Sequence, residues 1–257
     1  MTTNTEQVRQ MPASAILLRD GGLTVACDHG LNGVPRGLET APARVRELLK
    51  YGPDGVIVTV GMLRALGPEI TERGIQPILA VDAAISDDGR VIGHADVATI
   101  EQCQALGCQI AKIVFQLGWR GQVFCDEISR IAGVVAQAQR AGVLLMVEPA
   151  MIGGDPADWA GREAARIIDG CRIASELGAD LLKIPMLSRD DTRAVVEMSY
   201  CPVTVMGGEA RDHTAFLSQV SECLDAGALG IVAGRNVWQE GHEGDVIPAL
   251  RDLLKAA

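Results

Sequence analysis

Short apolar runs recur along the whole chain, and most of them begin within a few residues of a glycine. Before the glycine, apolar residues are spaced three or four positions apart, as on one face of a helix. After it comes a short, mainly apolar run that is rich in β-branched side chains. A glycine in this position adopts the left-handed backbone that ends a helix, so each joint predicts a helix followed by a strand. The joints are at Gly52, Gly74, Gly107, Gly142, Gly178 and Gly227.

Eight apolar runs, six after these joints and two more, predict eight strands. Their almost continuous apolar character is typical of parallel strands that are covered on both faces. The segments between the runs have a helical period. In residues 158–178 the side chains that share one helical face are Ala164, Ile167, Cys171 and Ala174. The runs begin at Leu23, Gly55, Gln76, Gln109, Val143, Asp180, Pro202 and Leu229.

The alternation of strands and helices indicates an α/β protein, either an open doubly wound sheet or a closed barrel. Eight units within 257 residues favour the barrel. We therefore predict one domain over residues 1–257, a single (β/α)8 TIM barrel. Residues 1–15 precede the first run, and we expect them to form a short N-terminal arm or a cover for the barrel bottom.

Composition and charge bear on the partners of the protein more than on its fold. The formal net charge of −10 argues against nucleic acid or an anionic membrane surface as a general partner. No apolar run approaches the length of a membrane span, and the polar N terminus lacks the apolar core of a signal peptide. The seven cysteines stand singly, without disulfide or metal-site spacing, as expected of reduced thiols in a cytoplasmic protein.

Lys183, in the sixth run, is the most unusual polar residue, because catalytic groups of such barrels gather at the carboxyl ends of the strands. It stands between Leu182 and Ile184, where we expect the backbone to be buried. A buried ammonium is costly, and a lowered pKa relieves the cost. A neutral lysine amine adds to a ketone and forms an iminium, which serves as an electron sink for carbon–carbon cleavage. Alternatively, the lysine stem follows the strand and carries its charge into water.

Lys112 in the fourth run and Glu148 in the fifth support the catalytic interpretation. The fifth strand lies between the fourth and the sixth, so these two residues and Lys183 can meet above one barrel mouth. The second cation would depress the pKa of the first, and the carboxylate could shuttle protons. The alternative is a buried lysine–glutamate pair that only holds the strands together.

Three further polar residues follow strands. Asp28, after the first run, fits a group that hydrogen-bonds substrate hydroxyls or assists proton transfer, or else a residue that caps the turn. We expect His29 to be structural. Asp82, after the third run, is either an acid at the barrel rim or a turn residue, and we assign it no role. The four histidines lie far apart in the sequence, so we predict no metal site.

The last two strands indicate a phosphate site. Barrels of this kind commonly bind phosphate on the loops after strands seven and eight, through backbone N–H groups. Both loops begin with small residues, and Arg235 adds a cation suited to phosphate. Arg36, in the loop after the first run, either meets a second anionic group or is simply solvated. The predicted phosphate ligands are Gly207, Gly208, Gly234 and Arg235.

These motifs resemble those of the archaeal-type class I fructose-bisphosphate aldolase family, which also contains an autoinducer-2 phosphate thiolase and an aminodideoxyheptulosonate synthase. LGADLLKIPM resembles the Schiff-base strand of the family, and CDHG its first-strand motif. CPVTVMGGEAR and AGALGIVAGRNVWQ resemble its two phosphate loops. The resemblance implies that Lys183 forms the imine, that Asp28 assists, and that phosphate rests on the four residues named above. It also implies a homo-oligomer.

One departure concerns the proton donor. The archaeal aldolases carry a tyrosine after strand five, in a Tyr-Pro-Arg-Gly segment, whereas this chain reads MVEPAMIGG there and has its two tyrosines, Tyr51 and Tyr200, elsewhere. Glu148-Pro149, together with Lys112, resembles tagatose-bisphosphate and sulfofructose-phosphate aldolases, in which a glutamate is the acid/base. The resemblance thus assigns proton transfer to Glu148.

The predicted function is reversible cleavage of a phosphorylated ketose to dihydroxyacetone phosphate and an aldehyde. The ketose is of the fructose-bisphosphate, tagatose-bisphosphate or sulfofructose-phosphate type. The reaction needs no metal or other cofactor, because the iminium takes the place of the metal ion. Two alternatives remain: acyl or ketol transfer, as in the thiolase and the synthase, and a non-catalytic sugar-phosphate sensor.

Overall fold

Eight parallel strands close into a barrel in the computed structural model of the chain, which describes residues 22–87, 90–239, 241 and 243–257. The predicted (β/α)8 TIM barrel is confirmed, and each predicted run contains one barrel strand. The predicted arm over residues 1–15 lies outside the described residues. In chain order the strands are β1 (Leu23–Ala26), β2 (Gly55–Val58), β3 (Gln76–Ala80), β4 (Asp82–Asp87), β5 (Arg90–Asp96), β6 (Ile110–Gln116), β7 (Leu144–Ala150), β8 (Leu181–Pro185), β9 (Val203–Met206) and β10 (Gly230–Ala233). The barrel closes where β1 pairs with both β2 and β10, and β4 pairs only with β5.

Helices follow the strands as the glycine joints predict. Gly142 and Gly178 cap the two longest helices in the left-handed conformation, with φ of 66° and 98°. None of the helices in the described part of the chain is long and apolar enough to cross a membrane. The helices are α1 (Ala41–Leu49), α2 (Val60–Glu72), α3 (Ile100–Ala105), α4 (Gly121–Ala141), α5 (Glu163–Leu177), α6 (Arg189–Met198), α7 (His213–Asp225), α8 (Arg235–Trp238) and α9 (Glu243–Ala256).

The core has two parts, separated by the strands themselves. Side chains alternate along each strand, so on β8 Leu182 and Ile184 pack outward in the cluster beneath the helices. Leu181 belongs instead to the smaller cluster inside the barrel, and Lys183 shares its side of the strand. The interior of the barrel thus has an apolar layer at the level of Leu181. A charged layer lies at the level of Lys183, nearer the carboxyl ends of the strands. The inner cluster consists of Ala26, Ile57, Ile78, Ala80, Ile110, Met146, Leu181 and Val232.

An antiparallel hairpin, β4–β5, is inserted between β3 and α3, where the sequence analysis predicts no strand. Its first residue, Asp82, is buried and is paired with Asp96 at the other end of the hairpin. β4 packs against a 3-10 turn that follows β1, Asp28–Asn32. The hairpin therefore stands beside the barrel mouth and forms part of its wall.

Candidate active site

Two lysines and one glutamate from three adjacent strands meet inside the barrel. Lys112 lies on β6, Glu148 on β7 and Lys183 on β8, and all three side chains are buried. One carboxylate oxygen, Oε2 of Glu148, lies 3.0 Å from Nζ of Lys112 and 2.8 Å from Nζ of Lys183. The structure thus brings together the three residues that the sequence analysis groups.

Asp28 extends this group into a row of four charges. It is the first residue of the 3-10 turn after β1, and its Oδ2 lies 3.4 Å from Nζ of Lys112. Along the row the charges alternate, from Asp28 through Lys112 and Glu148 to Lys183. We call these four residues the charge row. Among the described residues, Lys112 contacts two carboxylates, whereas Lys183 contacts one.

Opposite charges outweigh burial in setting the pKa of Lys112, Glu148 and Asp28. Burial favours the neutral amine of Lys112, but the carboxylates of Glu148 and Asp28 prevail and raise its pKa above the ordinary value. Burial also favours the neutral acids, yet the two lysines lower the pKa of Glu148 and of Asp28. At neutral pH both acids are therefore carboxylates, and Lys112 is an ammonium. Lys112 is held as a cation, which makes it a poor nucleophile.

His29 packs rather than joining the row. Its ring meets the indole of Trp238 edge-on, with centroids 5.2 Å apart, and its Nδ1 lies 3.7 Å from Oδ1 of Asp28. Burial is the main cause that lowers the pKa of His29, so the ring is neutral at pH 7. Trp238 is in turn fixed by donating a hydrogen bond to the carbonyl of Ala26. The ring therefore helps to join β1 to the segment after β10.

The two predicted phosphate loops lie side by side, and Asn236 ties them together. Its side-chain amide donates hydrogen bonds to the carbonyls of Gly207 and Glu209, at 2.9 and 3.0 Å. Asn236 has no predicted role, although it lies in the AGALGIVAGRNVWQ motif next to Arg235. The guanidinium of Arg235 forms an ion pair with the exposed carboxylate of Glu209. In the loop after β9, Gly208 follows Gly207 and has a φ of 67°, which few residues other than glycine adopt.

Two of the predicted glycines serve packing. The N–H group of Gly207 donates to the carbonyl of Val232, so this amide belongs to the barrel ladder. A Cβ atom on Gly234 would lie 3.0 Å from Cε1 of His29 and 3.1 Å from the carbonyl oxygen of Ala26. Gly234 is thus needed for the close approach of the last loop to β1.

Arg36 lies apart from the charge row, on an exposed loop after the 3-10 turn. The adjacent Gly37 packs on α8, because a Cβ atom there would lie 2.6 Å from the carbonyl oxygen of Trp238. The loop therefore sits over the end of α8, and Arg36 is at the rim of the barrel rather than in its interior.

Asp82 has a structural position that neither alternative in the sequence analysis describes. Its Oδ2 accepts hydrogen bonds from the Val114 amide at 2.7 Å and lies 2.9 Å from Nε2 of His94. Asp82, His94 and Asp96 form the one group with metal-ligand geometry among the described residues. Arg130 already supplies a cation there, with Nη1 3.0 Å from Asp96 and 3.4 Å from Asp82. This group anchors the hairpin.

Both tyrosines lie at the opposite end of the barrel. Tyr51 and Tyr200 precede β2 and β9, so they are at the amino ends of the strands. Tyr200 bonds to Arg172 and Glu176 on the outer surface. A tyrosine proton donor at the charge row is therefore ruled out by position, as the sequence analysis expects.

Comparison with known proteins gives a consistent result. The model of the DeoC/LacD family aldolases matches residues 15–240. The fructose-bisphosphate aldolase class 1 of Thermoproteus tenax is 28% identical over 244 residues, which cover 92% of this chain and 90% of the relative. The 2-amino-3,7-dideoxy-D-threo-hept-6-ulosonate synthase of Halobacterium salinarum is 27% identical over 234 residues, covering 90% and 86%.

A solved structure shares the fold. It is an archaeal fructose-1,6-bisphosphate aldolase with its catalytic lysine covalently bound to the carbinolamine intermediate of the substrate. It matches with a TM-score of 0.78 and 24% identity, over 98% of this chain and 100% of that one.

Proposed function

The chain belongs to the DeoC/LacD family of aldolases, and from this premise we propose that it is a class I aldolase acting on a phosphorylated ketose. The observation that carries the proposal is the charge row, in which Glu148 contacts both buried lysines. Lys183 is the nucleophile, since it contacts one carboxylate while Lys112 is held as an ammonium between two. Glu148, 2.8 Å from the attacking nitrogen, is the group that moves protons.

In the first half of the reaction, the neutral amine of Lys183 adds to the C2 carbonyl of the ketose and forms a carbinolamine. Glu148 takes the ammonium proton of Lys183 before this attack and later gives it to the C2 hydroxyl, which leaves as water. The product is an iminium ion between Lys183 and C2. Lys112 favours the ionised form of Glu148 before and after this proton transfer, through the contact at 3.0 Å.

In the second half, Glu148 removes the proton of the C4 hydroxyl and the C3–C4 bond breaks. Its electron pair moves to the iminium and forms an enamine, and the aldehyde leaves. Protonation at C3 and attack of water on the resulting iminium release dihydroxyacetone phosphate and restore Lys183. Asp28, at the other end of the charge row, is placed to hydrogen-bond substrate hydroxyls. The iminium accepts the electron pair, so no step requires a metal or other cofactor.

The phosphate of the substrate binds on the loops after β9 and β10. Asn236 holds these loops together, and Arg235 points its guanidinium at the carboxylate of Glu209. The side chain of Glu209 is 80% exposed, so an incoming phosphate displaces it at little cost. Gly208 and Gly234 allow close approach of the backbone.

Cleavage assays test the proposed function. Fructose 1,6-bisphosphate, tagatose 1,6-bisphosphate and sulfofructose 1-phosphate are each supplied, and release of dihydroxyacetone phosphate is measured with and without a chelator. We expect cleavage of at least one of them that survives the chelator and is lost, by about 10³-fold or more, in Lys183→Met and Glu148→Gln. Lys50→Met changes an exposed lysine and is the matched control. Full activity in Lys183→Met would contradict the proposal.

A second candidate function is carbon–carbon bond formation of the kind named for the Halobacterium salinarum synthase, because the chain matches that relative over 86% of its length. The two functions share the lysine imine and differ in the second substrate. The enzyme is incubated with donors of three or more carbons and a panel of aldehydes. Identification of the products that form separates the two functions.

A further inference from the structure

A cavity of about 640 Å³ opens beside the barrel mouth, between the carboxyl ends of β7, β8 and β9 and the start of α5. Ala150, Pro185 and Met206 form its inner wall. Side chains two residues apart share one side of a strand, so Ala150 stands one layer above Glu148, and Pro185 one layer above Lys183. The cavity therefore borders the layer directly above Glu148 and Lys183 at the barrel mouth. Its volume is in the range of small-molecule sites.

The cavity is apolar, and three methionines line it. Met151, Met186 and Met206 form much of the wall, together with Ile152 and Leu187. Methionine adapts its shape to an apolar ligand better than branched side chains do. Among the lining residues, all in the described part of the chain, Glu163 is the one charged side chain and it is an acid.

The arginines at the start of α5 do not supply a cation to the cavity, and Arg211 donates a hydrogen bond to the lining residue Gln219. Arg162 and Arg166 lie at the start of α5 but stack on the indole of Trp159, at 5.5 and 4.7 Å from the ring centroid. Arg166 also stacks on Phe124 at 4.1 Å, and its Nε donates to the carbonyl of Leu117. Both guanidinium groups are thus engaged by neighbours outside the cavity. A phosphate placed in the cavity would lose its hydration without gaining a counter-charge.

We propose that this cavity binds the half of the substrate that leaves as the aldehyde, and that this half is an uncharged, mainly apolar chain. The inference rests on the proposed function and narrows its substrate class. The phosphate on the loops after β9 and β10 is then the only charged group that the enzyme recognises on the ketose. Fructose 1,6-bisphosphate, tagatose 1,6-bisphosphate and sulfofructose 1-phosphate all carry a second anionic group on the aldehyde half. They are therefore cleaved more slowly than a ketose 1-phosphate with an apolar tail.

Condensation with dihydroxyacetone phosphate as donor tests the inference through two matched pairs of aldehydes. We expect kcat/KM for pentanal to exceed that for acetaldehyde by at least about tenfold, because the added methylenes fill the cavity. We expect glyceraldehyde 3-phosphate to be no better than glyceraldehyde. Met151→Arg, which adds a cation to the wall, should raise the ratio of the phosphorylated to the free aldehyde about tenfold. Val123→Arg adds the same charge at a residue that is 51% exposed on α4, and should leave both ratios unchanged.

Borohydride trapping on the same samples distinguishes failure of this inference alone from failure of the proposed function. If dihydroxyacetone phosphate is trapped on Lys183 but glyceraldehyde 3-phosphate is preferred tenfold over glyceraldehyde, the apolar class is wrong and the imine mechanism stands. If pentanal and acetaldehyde react equally well, the cavity does not hold the aldehyde. If no lysine is trapped and no aldehyde condenses, the proposed function and this inference both fall.

Discussion

At the scale of single residues, Lys112 and Lys183 have the same side chain and contact the same oxygen of Glu148, but their surroundings differ. Lys112 has Asp28 as a second partner at 3.4 Å, and its pKa is raised. A lysine held as an ammonium stabilises a neighbouring carboxylate, whereas an imine former must give up its proton. The second carboxylate, that of Asp28, thus helps to keep Lys112 charged, and we infer that Lys183 is the lysine that forms the imine.

Replacing Lys112 by methionine tests this division. Lys112 lowers the pKa of Glu148, so Lys112→Met raises that pKa. We expect the limb of the pH–rate profile that reports Glu148 to move to higher pH, with kcat reduced about 10²-fold or more. Borohydride trapping on Lys183 should persist. An unchanged pH profile, with Lys50→Met as the control, would show that Lys112 has no part in the ionisation of Glu148.

The sequence predicts the four members of the charge row, but not which contacts which. Their strand positions follow from the apolar runs and from the fixed order of a barrel. The distances depend on register, and register is set by long-range pairing such as Val114 opposite Glu148, which no local pattern contains. The pKa of Lys112 is raised by Glu148 and, in second place, by Asp28, and the contact between Lys112 and Asp28 is not among the predictions from the sequence.

At the scale of elements, the loop after β10 reaches β1 because Gly234 has no side chain. We expect Gly234→Ala to push this loop away from His29, raising KM for the phosphorylated substrate about tenfold and destabilising the fold by about 1–3 kcal/mol. Gly133→Ala lies in α4 with open space around the added methyl group, and should stabilise by about 0.5–1 kcal/mol. Steady-state kinetics and thermal unfolding give both values. An unchanged KM in Gly234→Ala would show that this loop does not take part in phosphate binding.

The hairpin is the element that the sequence analysis does not predict. β4 begins two residues after β3 ends, and most residues after Asp82 have short side chains of mixed polarity. This sequence pattern is typical of a loop. The anchor lies on other elements: Arg130 of α4 contacts Asp82 and Asp96, and donates to the carbonyl of Val114 at 2.6 Å. Such long-range contacts leave no periodic trace in the hairpin itself.

Loss of Arg130 should therefore release the hairpin. Asp82 is fully buried, so Arg130→Met leaves it without its cation, and we expect a destabilisation of about 3 kcal/mol together with faster proteolysis within residues 82–96. Arg172→Met removes an exposed ion pair with Glu176 and should cost less than about 1 kcal/mol. Equal effects of the two substitutions on thermal unfolding would show that the Asp82 group is not an anchor.

At the scale of the whole molecule, composition and hydrophobic period suffice to predict the barrel, although not the hairpin. The aromatic content of 3% predicts an aliphatic core, and the buried residues are mostly aliphatic. The barrel buries six of the seven cysteines and exposes Cys125 on α4. Burial raises the pKa of several of these thiols, to about 12 for Cys201.

The burial of the thiols gives a test of the packing as a whole. Iodoacetamide reacts with the thiolate, so in the native protein we expect alkylation at Cys125 alone. After unfolding, all seven cysteines should react. Mass spectrometry of the alkylated protein counts the adducts. Rapid native labelling at Cys27 or Cys201 would contradict the packing around β1 and β9.

Borohydride trapping with dihydroxyacetone phosphate, followed by peptide mapping, shows directly whether Lys183 forms the imine. The chain has four lysines, of which Lys50 and Lys255 are exposed. The informative result is therefore which of the two buried lysines, Lys112 or Lys183, carries the adduct. The account predicts a single reduced adduct on Lys183 that disappears in Lys183→Met and remains in Lys50→Met. An adduct on Lys112, or no adduct with dihydroxyacetone phosphate at all, would contradict it.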